Sequence, residues 1–333
     1  MRIAIVKLSA LGDIVHAMVV LQFVKKLNKK ISIDWIVDED YKKILSFHPD
    51  INKIYILKLR QIRKNKSLFA LINELQKIRN LHQYDLVIDL QGLIKSAIIS
   101  KLIPSKKTIG FDRFSSRESF SSFFYNKTFK CGYDVNVIER NLALVGFALG
   151  TKFDINQINN KMPFLHSRRK ELTSKISVSK KNILLIPGAS NKSKRFPSFK
   201  LAEISKLIDA NFLVVWGSHD EEIIARKIKE ISPIVNICDR LELDHLISLI
   251  SRVDLVIGSD TGPTHFAWAL NIPSITIFGP TPGYRNTWAT NINRIVESDS
   301  VVDPYKIDKK DFSIRDVNID QIINVAKELL DYS

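Results

Sequence analysis

The sequence predicts an α/β protein built from two Rossmann-like domains, each around a parallel sheet. Three observations carry this expectation. Short apolar runs alternate with amphipathic segments of helical period, the pattern of strands buried on both faces and separated by crossover helices. The alternation lapses once, from about Thr151 to Asn182, where the text turns polar and charged, and then restarts. Finally, 333 residues exceed one ordinary core and suit two. The expected divisions are a first domain over 1–155, a linker over 156–179, a second domain over 180–315, and a terminal helix over 316–333 that packs back on the first domain.

In the first half, "RIAIV", "SIDWIV", "KIYIL" and "DLVIDL" read as strands. "IVHAMVVLQFVKKL" places Ile14, Met18, Leu21 and Val24 on one face and reads as a single first helix. "SLFALINELQKIRNL", "LIKSAIISKLI" and "VIERNLALVGFALG" read as further helices, the last stopped by Gly150. In the second half, the strands are "NILLIPG", "NFLVVWG", "PIVNI", "VDLVIGSD" and "PSITIFG". Helices fit "FKLAEISKLI", "HDEEIIARKIKEI", "LDHLISLIS", "THFAWAL" and the final "DQIINVAKELLDY". There is no short-period repeat and no GxGxxG fingerprint.

Hydrophobic residues at 45% and charged residues at 26% are those of a soluble globular chain. No apolar run reaches the roughly 18 residues of a membrane span, and the start "MRIAIVKLSALGD" is too short in its apolar stretch for a secretory signal. A cytoplasmic protein is therefore expected. Cys131 and Cys238 form neither a CxxC nor a Cys/His cluster, which argues against a disulfide framework or a zinc site. The net charge of +15 fits a lysine-rich genome, a nucleic-acid partner, an anionic membrane surface or an anionic substrate.

Ligands of such sheets bind beyond the carboxyl ends of the strands, so the polar residues there matter most. In "IVKLSALGDIVHAM", Lys7 closes the first strand and Ser9 to Gly12 form a loop. Gly12 permits a sharp turn and close approach, and Asp13 opens the helix. Asp13 is either a helix N-terminal acid, worth about 0.3–1 kcal/mol, or a general base projecting into a cleft between the domains. In "VDLVIGSDTGPTHFAWAL", Pro263 is tolerated in the first helical turn. The amides of Thr261, Gly262 and Thr264 at the positive end of that helix suit a diphosphate. Asp260 would repel the phosphate and is better placed to accept from sugar hydroxyls, with His265 either a core histidine or part of the site. "LLIPGASNKSKRFP" carries Lys192, Lys194 and Arg195 after a strand end, where cations suit a phosphate or simply face solvent. In "VVWGSHDEE", Glu221 or Glu222 could reach a ribose diol. Arg60, Arg63 and Lys64 in "KLRQIRKNK" share one face if that segment is helical. With the serine- and aromatic-rich "FDRFSSRESFSSFFYNKTF", they could grip an acidic acceptor or lipid headgroups.

The stretches "MRIAIVKLSALGDIVHAM", "IDWIVDEDY", "YDLVIDLQGLIKSA", "PGASNKSKRFP", "WGSHDEE" and "GSDTGPTHFAWAL" together resemble the lipopolysaccharide heptosyltransferases, type I members above all, over nearly the whole chain. The resemblance implies a GT-B glycosyltransferase with two facing Rossmann-like domains. It implies transfer of L-glycero-D-manno-heptose from ADP-heptose to a Kdo residue of Kdo-lipid A, with inversion, without a catalytic metal and with no cofactor beyond the donor. It places the base on Asp13, with Ser9 and Gly12 beside it, and the donor site on Asp260, Thr261, Gly262, His265, Lys194 and either Glu221 or Glu222. Where the family has a threonine pair, this chain has Ala189-Ser190, so only Ser190 keeps a hydroxyl for phosphate. Acceptor contacts fall on Arg60, Arg63 and Lys64, with Arg113 or Arg117 as a further arginine. A cytoplasmic enzyme peripheral to the inner membrane is implied, with no nucleic-acid partner. The rival readings are a type II or III member acting on a heptosylated acceptor, a basic nucleic-acid-binding protein, and a sugar-nucleotide epimerase of the same fold.

Overall fold

The computed structural model describes residues 1–168 and 175–331. It divides into two compact units, Met1–Lys161 and Met162–Ser333.

The first unit holds strands β1 (Arg2–Val6), β2 (Ser32–Asp38), β3 (Lys53–Leu57), β4 (Tyr84–Asp89), β5 (Ser105–Phe111) and β6 (Lys127–Phe129). They form one parallel sheet in the order β3-β2-β1-β4-β5-β6, with Ile3 level with Ile33 on one side and Leu86 on the other. Its helices are α1 (Leu11–Met18), α2 (Val20–Leu27), α3 (Lys42–Leu45), α4 (Leu59–Asn65), α5 (Leu68–Arg79), α6 (Ile94–Leu102) and α7 (Val137–Leu149). The central strands β1 and β4 are almost wholly buried, which is why they read as unbroken apolar runs rather than alternating ones. Gly150 ends α7 in the left-handed conformation at φ 69°, where a side chain would be strained.

The second unit repeats the plan with β7 (Asn182–Ile186), β8 (Asn211–Val214), β9 (Asn236–Ile237), β10 (Leu255–Ser259), β11 (Ser274–Phe278) and β12 (Asn293–Glu297), parallel in the order β12-β11-β10-β7-β8-β9. Its helices are α8 (Ser198–Leu207), α9 (His219–Ile231), α10 (Leu243–Ile250), α11 (Gly262–Leu270), α12 (Gly283–Asn286) and α13 (Ile319–Asp331). Helix α11 lies tight on its sheet. A Cβ on Gly258 would come within 2.6 Å of Thr264 Oγ1 and 2.9 Å of Ile186 Cβ.

Four expectations change. The expected first helix is two, α1 and α2, because Gln22 N bonds Val19 O one residue short of the α pattern. Strands β5, β6 and β12 escaped the reading, since β5 opens on Ser105-Lys106-Lys107 and only Thr108–Phe111 are buried. Part of the expected linker is packed structure. Phe164 is buried, donates its amide to Ala269 O at 3.1 Å and meets Trp268 edge-on at 5.5 Å. Residues 169–174 of that linker lie outside the described residues. The terminal helix α13 packs on the sheet of the second unit. Ile322, Ile323, Ala326 and Leu329 join the core of the second, because its apolar stripe is needed to cover that sheet beside α8.

In each sheet, the order reverses direction once, between β1 and β4 in the first and between β7 and β10 in the second. Connections leave these neighbours toward opposite faces, opening a crevice at their carboxyl ends. Among the described residues, no helix is long and apolar enough to cross a membrane.

Candidate active site

In the first unit, the loop 7–10 after β1 and the turn after β4 flank the crevice. Gln91 Oε1 accepts from Leu8 N at 3.0 Å and Ser9 N at 3.1 Å. Gln91 is itself held, for its amide donates to the buried Asp89 carboxylate at 2.8 Å, as do Gly92 N and the Tyr125 hydroxyl. Burial pushes the Asp89 carboxyl above its ordinary value, so these donors are what hold the group in place. The braced loop delivers Asp13 to the first turn of α1, where the side chain is exposed and Ala10 N donates to its Oδ2 at 3.2 Å. Asp13 thus keeps the helix-acid role and also presents a carboxylate to solvent, while Gly12 precedes it half-buried.

Beside this loop is a hollow of about 430 Å³ lined by Ser9, Asp38, Asp40, Tyr41, Arg60, Arg63 and Lys95. Helix α4 carries Arg60 and Arg63 to it, and Arg60 Nη1 bonds Asp40 Oδ2 at 2.7 Å. Burial pushes the Asp38 carboxyl up against the pull of the Asp40 amide and Lys95. Burial, then the charges of Asp40 and Asp38, raise the Tyr41 phenol, and Asp13 adds to it. The structure therefore brings Ser9, Arg60 and Arg63 together. Lys64, exposed on α4, does not line the hollow, nor do the exposed Arg113, stacked 4.4 Å over Phe114, and Arg117. Gln91, Asp38, Asp40, Tyr41 and Lys95 were missed by the sequence reading. The Gln-Gly after a buried strand was the one available signal.

In the second unit, Asp260 follows β10 and is buried. Its Oδ2 takes Lys194 Nζ at 2.5 Å and the Thr281 hydroxyl at 2.9 Å, and its Oδ1 lies 3.1 Å from His265 Nε2. Burial alone would raise this carboxyl, but the Lys194 charge and the His265 contact outweigh it and hold the group well below the usual carboxylate range. Thr261 caps α11 in extended backbone, and Gly262 and Pro263 form its first turn. Thr264 does not contribute a spare amide as expected, because its N–H donates to Thr261 O at 3.1 Å and its hydroxyl to Ser259 O at 2.8 Å. The amides of Thr261 and Gly262 remain at the positive end of the helix. The loop after β7 carries Ala189, buried, and Ser190, exposed, and Arg195 Nε donates to Ala189 O at 3.0 Å.

The two candidate glutamates at the start of α9 diverge. Glu221 Oε2 accepts from Gly217 N at 2.7 Å and Ser218 N at 3.2 Å, and its Oε1 lies over Gly188, where a Cβ would come within 2.2 Å. Glu222 turns along the helix to Arg226 Nη2 at 2.6 Å. Among the described residues, no three His, Cys, Asp or Glu side chains gather as metal ligands.

A parallel α/β unit with a braced carboxylate loop, and another with a buried acid–lysine pair at a helix N-terminus, are the parts of a nucleotide-sugar transferase. The comparisons agree. Lipopolysaccharide heptosyltransferase 1 of Campylobacter coli is 41% identical over 348 residues, covering 99% of this chain and 99% of that one. The structure of the E. coli heptosyltransferase WaaC with ADP superposes with a TM-score of 0.79 at 23% identity, covering 99% of this chain and 100% of that one. The same E. coli enzyme with ADP-2-deoxy-2-fluoro heptose superposes at 0.75 and 22% identity, covering 100% of this chain and 99% of that one. The fold is GT-B, as the sequence resemblance implied. Residues 72–304 match glycosyltransferase family 9 (heptosyltransferase), and the chain belongs to that family.

Proposed function

We propose that the protein moves L-glycero-D-manno-heptose from ADP-heptose to a Kdo residue of Kdo-lipid A, inverting the anomeric centre without a metal ion. The observation that most supports this reading is the Lys194–Asp260–His265 constellation at the carboxyl end of β10, where Asp260 stands just before Thr261, the N-cap of α11. A departing nucleoside diphosphate needs charge stabilisation rather than a proton. A lysine aimed by a buried carboxylate, together with oriented amides, supplies it without reorganising. Asp260 orients Lys194, while the Lys194 charge and the His265 contact keep it ionised. Thr261, Gly262 and Ser190 receive the diphosphate. Glu221, over Gly188, accepts from the ribose hydroxyls; the turn of Glu222 toward Arg226 supports choosing Glu221 for that role.

Asp13 is the general base. The acceptor hydroxyl oxygen forms its bond to the anomeric carbon on the face opposite the ADP leaving group, and its proton passes to Asp13. One carboxylate suffices, whereas hydrolysis of a glycoside would need two flanking the bond. Arg60, Arg63 and Lys95 in the hollow suit the carboxylate of a Kdo acceptor. Lys64, Arg113 and Arg117 are reserved for more distant anionic groups of the acceptor. An assay with purified Kdo-lipid A and ADP-heptose, read by mass spectrometry, tests the assignment. Product on Kdo-lipid A supports it. Product only on an already heptosylated acceptor assigns the protein to the type II or III reaction instead, and free sugar or epimer without acceptor overturns transfer altogether.

A further inference from the structure

Strand β10 is apolar from Leu255 to Ile257, and Gly258 then leaves room for α11. Its last residue, Ser259, is polar and wholly buried. A hydroxyl in such surroundings is costly unless it is partnered. The backbone of Ser259 serves the helix, since the Thr264 hydroxyl donates to Ser259 O at 2.8 Å. The side chain reaches elsewhere. Ser259 Oγ accepts the backbone amide of Phe196 at 3.1 Å, 63 positions away in sequence.

Phe196 closes the loop that carries Lys194. This loop leaves β7 after Ile186 and ends at Pro197, the cap of α8. Within it, Lys194 N donates to Asn191 O and Arg195 N to Lys192 O, both at 3.1 Å, which makes the tight turn Lys192–Lys194. Arg195 Nε reaches back to Ala189 O at 3.0 Å and ties the end of the loop to its start. These bonds shape the turn from within.

The end of β10 then holds the turn at two points. Asp260 Oδ2 takes the Lys194 ammonium, and Ser259 Oγ takes the Phe196 amide. Consecutive residues of one strand end thus grip positions two apart on the facing loop. The Phe196 ring, packed in the core, keeps the segment on the sheet. Apolar packing is non-directional, however, whereas a hydrogen bond weakens steeply with angle. Phe196 also precedes a proline, which confines its backbone to extended conformations. An orientation set at its amide is therefore carried back to Lys194 through one intervening residue.

We infer that Ser259 is a positioning residue for Lys194, its hydroxyl fixing the backbone from which the lysine reaches the departing diphosphate. It acts through Lys194 rather than on the nucleotide. The inference rests on the reading of Lys194 as the diphosphate's cation, and its test separates the two.

The test is a double-mutant cycle on ADP affinity, measured by calorimetric titration well below the melting temperature. Ser259→Thr and Ser259→Val have nearly the same shape and differ in the hydroxyl, so strain from the added carbons is common to both. Ser259→Val is expected to bind ADP about tenfold more weakly than Ser259→Thr, the equivalent of one hydrogen bond. In a Lys194→Ala background, the two are expected to bind alike. Ser259→Ala, which removes the oxygen and adds nothing, gives the same comparison against wild type if the larger side chains prevent folding. A hydroxyl that is merely structural would lower the melting temperature and leave ADP affinity equal, which overturns the proposal. A tenfold gap that persists without Lys194 also overturns it, because the hydroxyl then acts by another route. If Lys194→Ala alone binds ADP as tightly as wild type, the reading of the diphosphate site fails, and the positioning role falls with it.

Discussion

The ammonium of Lys194 lies 2.5 Å from the Oδ2 of Asp260, and both side chains are largely withdrawn from solvent. Removing one partner of such a pair leaves the other charge buried and uncompensated, at a cost of about 3–5 kcal/mol for a fully buried pair. Lys194→Ala is therefore expected to lower the melting temperature and to weaken ADP binding, whereas Lys194→Arg keeps the charge and recovers most of the stability. Thermal melts and calorimetric titration of ADP check this. A Lys194→Ala protein as stable as wild type would remove the pair from the account.

The same pair sets a pH dependence. The Asp260 carboxyl is held below its ordinary value of 3.8 in the folded protein, with burial opposing and Lys194 and His265 prevailing. Its contribution to stability is thus complete above pH 3.8 and is lost as pH falls from there toward the folded-state value. The stability difference between wild type and Asp260→Asn is expected to be constant from neutral pH down to about pH 5 and to shrink below the carboxylate range. A difference that changes between pH 6 and 8 would point to another group.

The helix-acid role of Asp13 and its proposed role as base can be separated. Asp13→Asn retains an oxygen for Ala10 N but cannot take a proton, so it should keep donor affinity and melting temperature while turnover drops about 10²–10⁴-fold. Asp13→Ala should lose the same turnover and also about 0.3–1 kcal/mol of stability with the helix-acid interaction. Turnover within a few-fold of wild type in both would deny Asp13 the role of base.

If Asp13 is the base, Gln91 should influence the reaction through the loop it braces. Its Oε1 is the acceptor for Leu8 N and Ser9 N, so Gln91→Ala is expected to lower kcat with little change in ADP affinity. Gln91→Glu, which keeps an acceptor oxygen, should recover much of it. Loss of ADP affinity instead of kcat would place its effect elsewhere.

Two glycines give opposite expectations. At Gly258, the added Cβ meets Thr264 and the Ile186 backbone, which cannot yield, so Gly258→Ala should destabilise the second unit by about 1–3 kcal/mol. At Gly188, the added Cβ meets the end of the flexible Glu221 side chain. Gly188→Ala should therefore leave the melting temperature nearly unchanged and weaken ADP binding. The reverse pattern in denaturation and titration would contradict the placement of Glu221.

Much of this architecture is legible in the sequence because both sheets are parallel and buried on both faces. Runs such as Ile3–Val6 and Leu255–Ile257 must then be apolar throughout, and polar residues gather at the strand ends. Asp13, Lys194 and Asp260 were visible for that reason. Strand β5 was not, because it opens on Ser105 and two exposed lysines, and neither was the destination of α13, since an apolar stripe does not say which sheet it covers. Pairings across the chain were also out of reach. Nothing local tells Lys194 that its partner is Asp260 or marks Gln91 as the brace for Ser9, since each depends on two loops meeting at a sheet edge. The divergence of Glu221 from Glu222 is local, set by Ser218 three residues before the one and Arg226 four residues after the other.

A crystal structure of the protein with ADP tests the central claim most directly. The diphosphate is expected at the amides of Thr261 and Gly262, within hydrogen-bond reach of Lys194 Nζ, with a ribose hydroxyl on Glu221. Nucleotide bound away from the β7–β10 crevice, with Lys194 and Asp260 untouched, would contradict it.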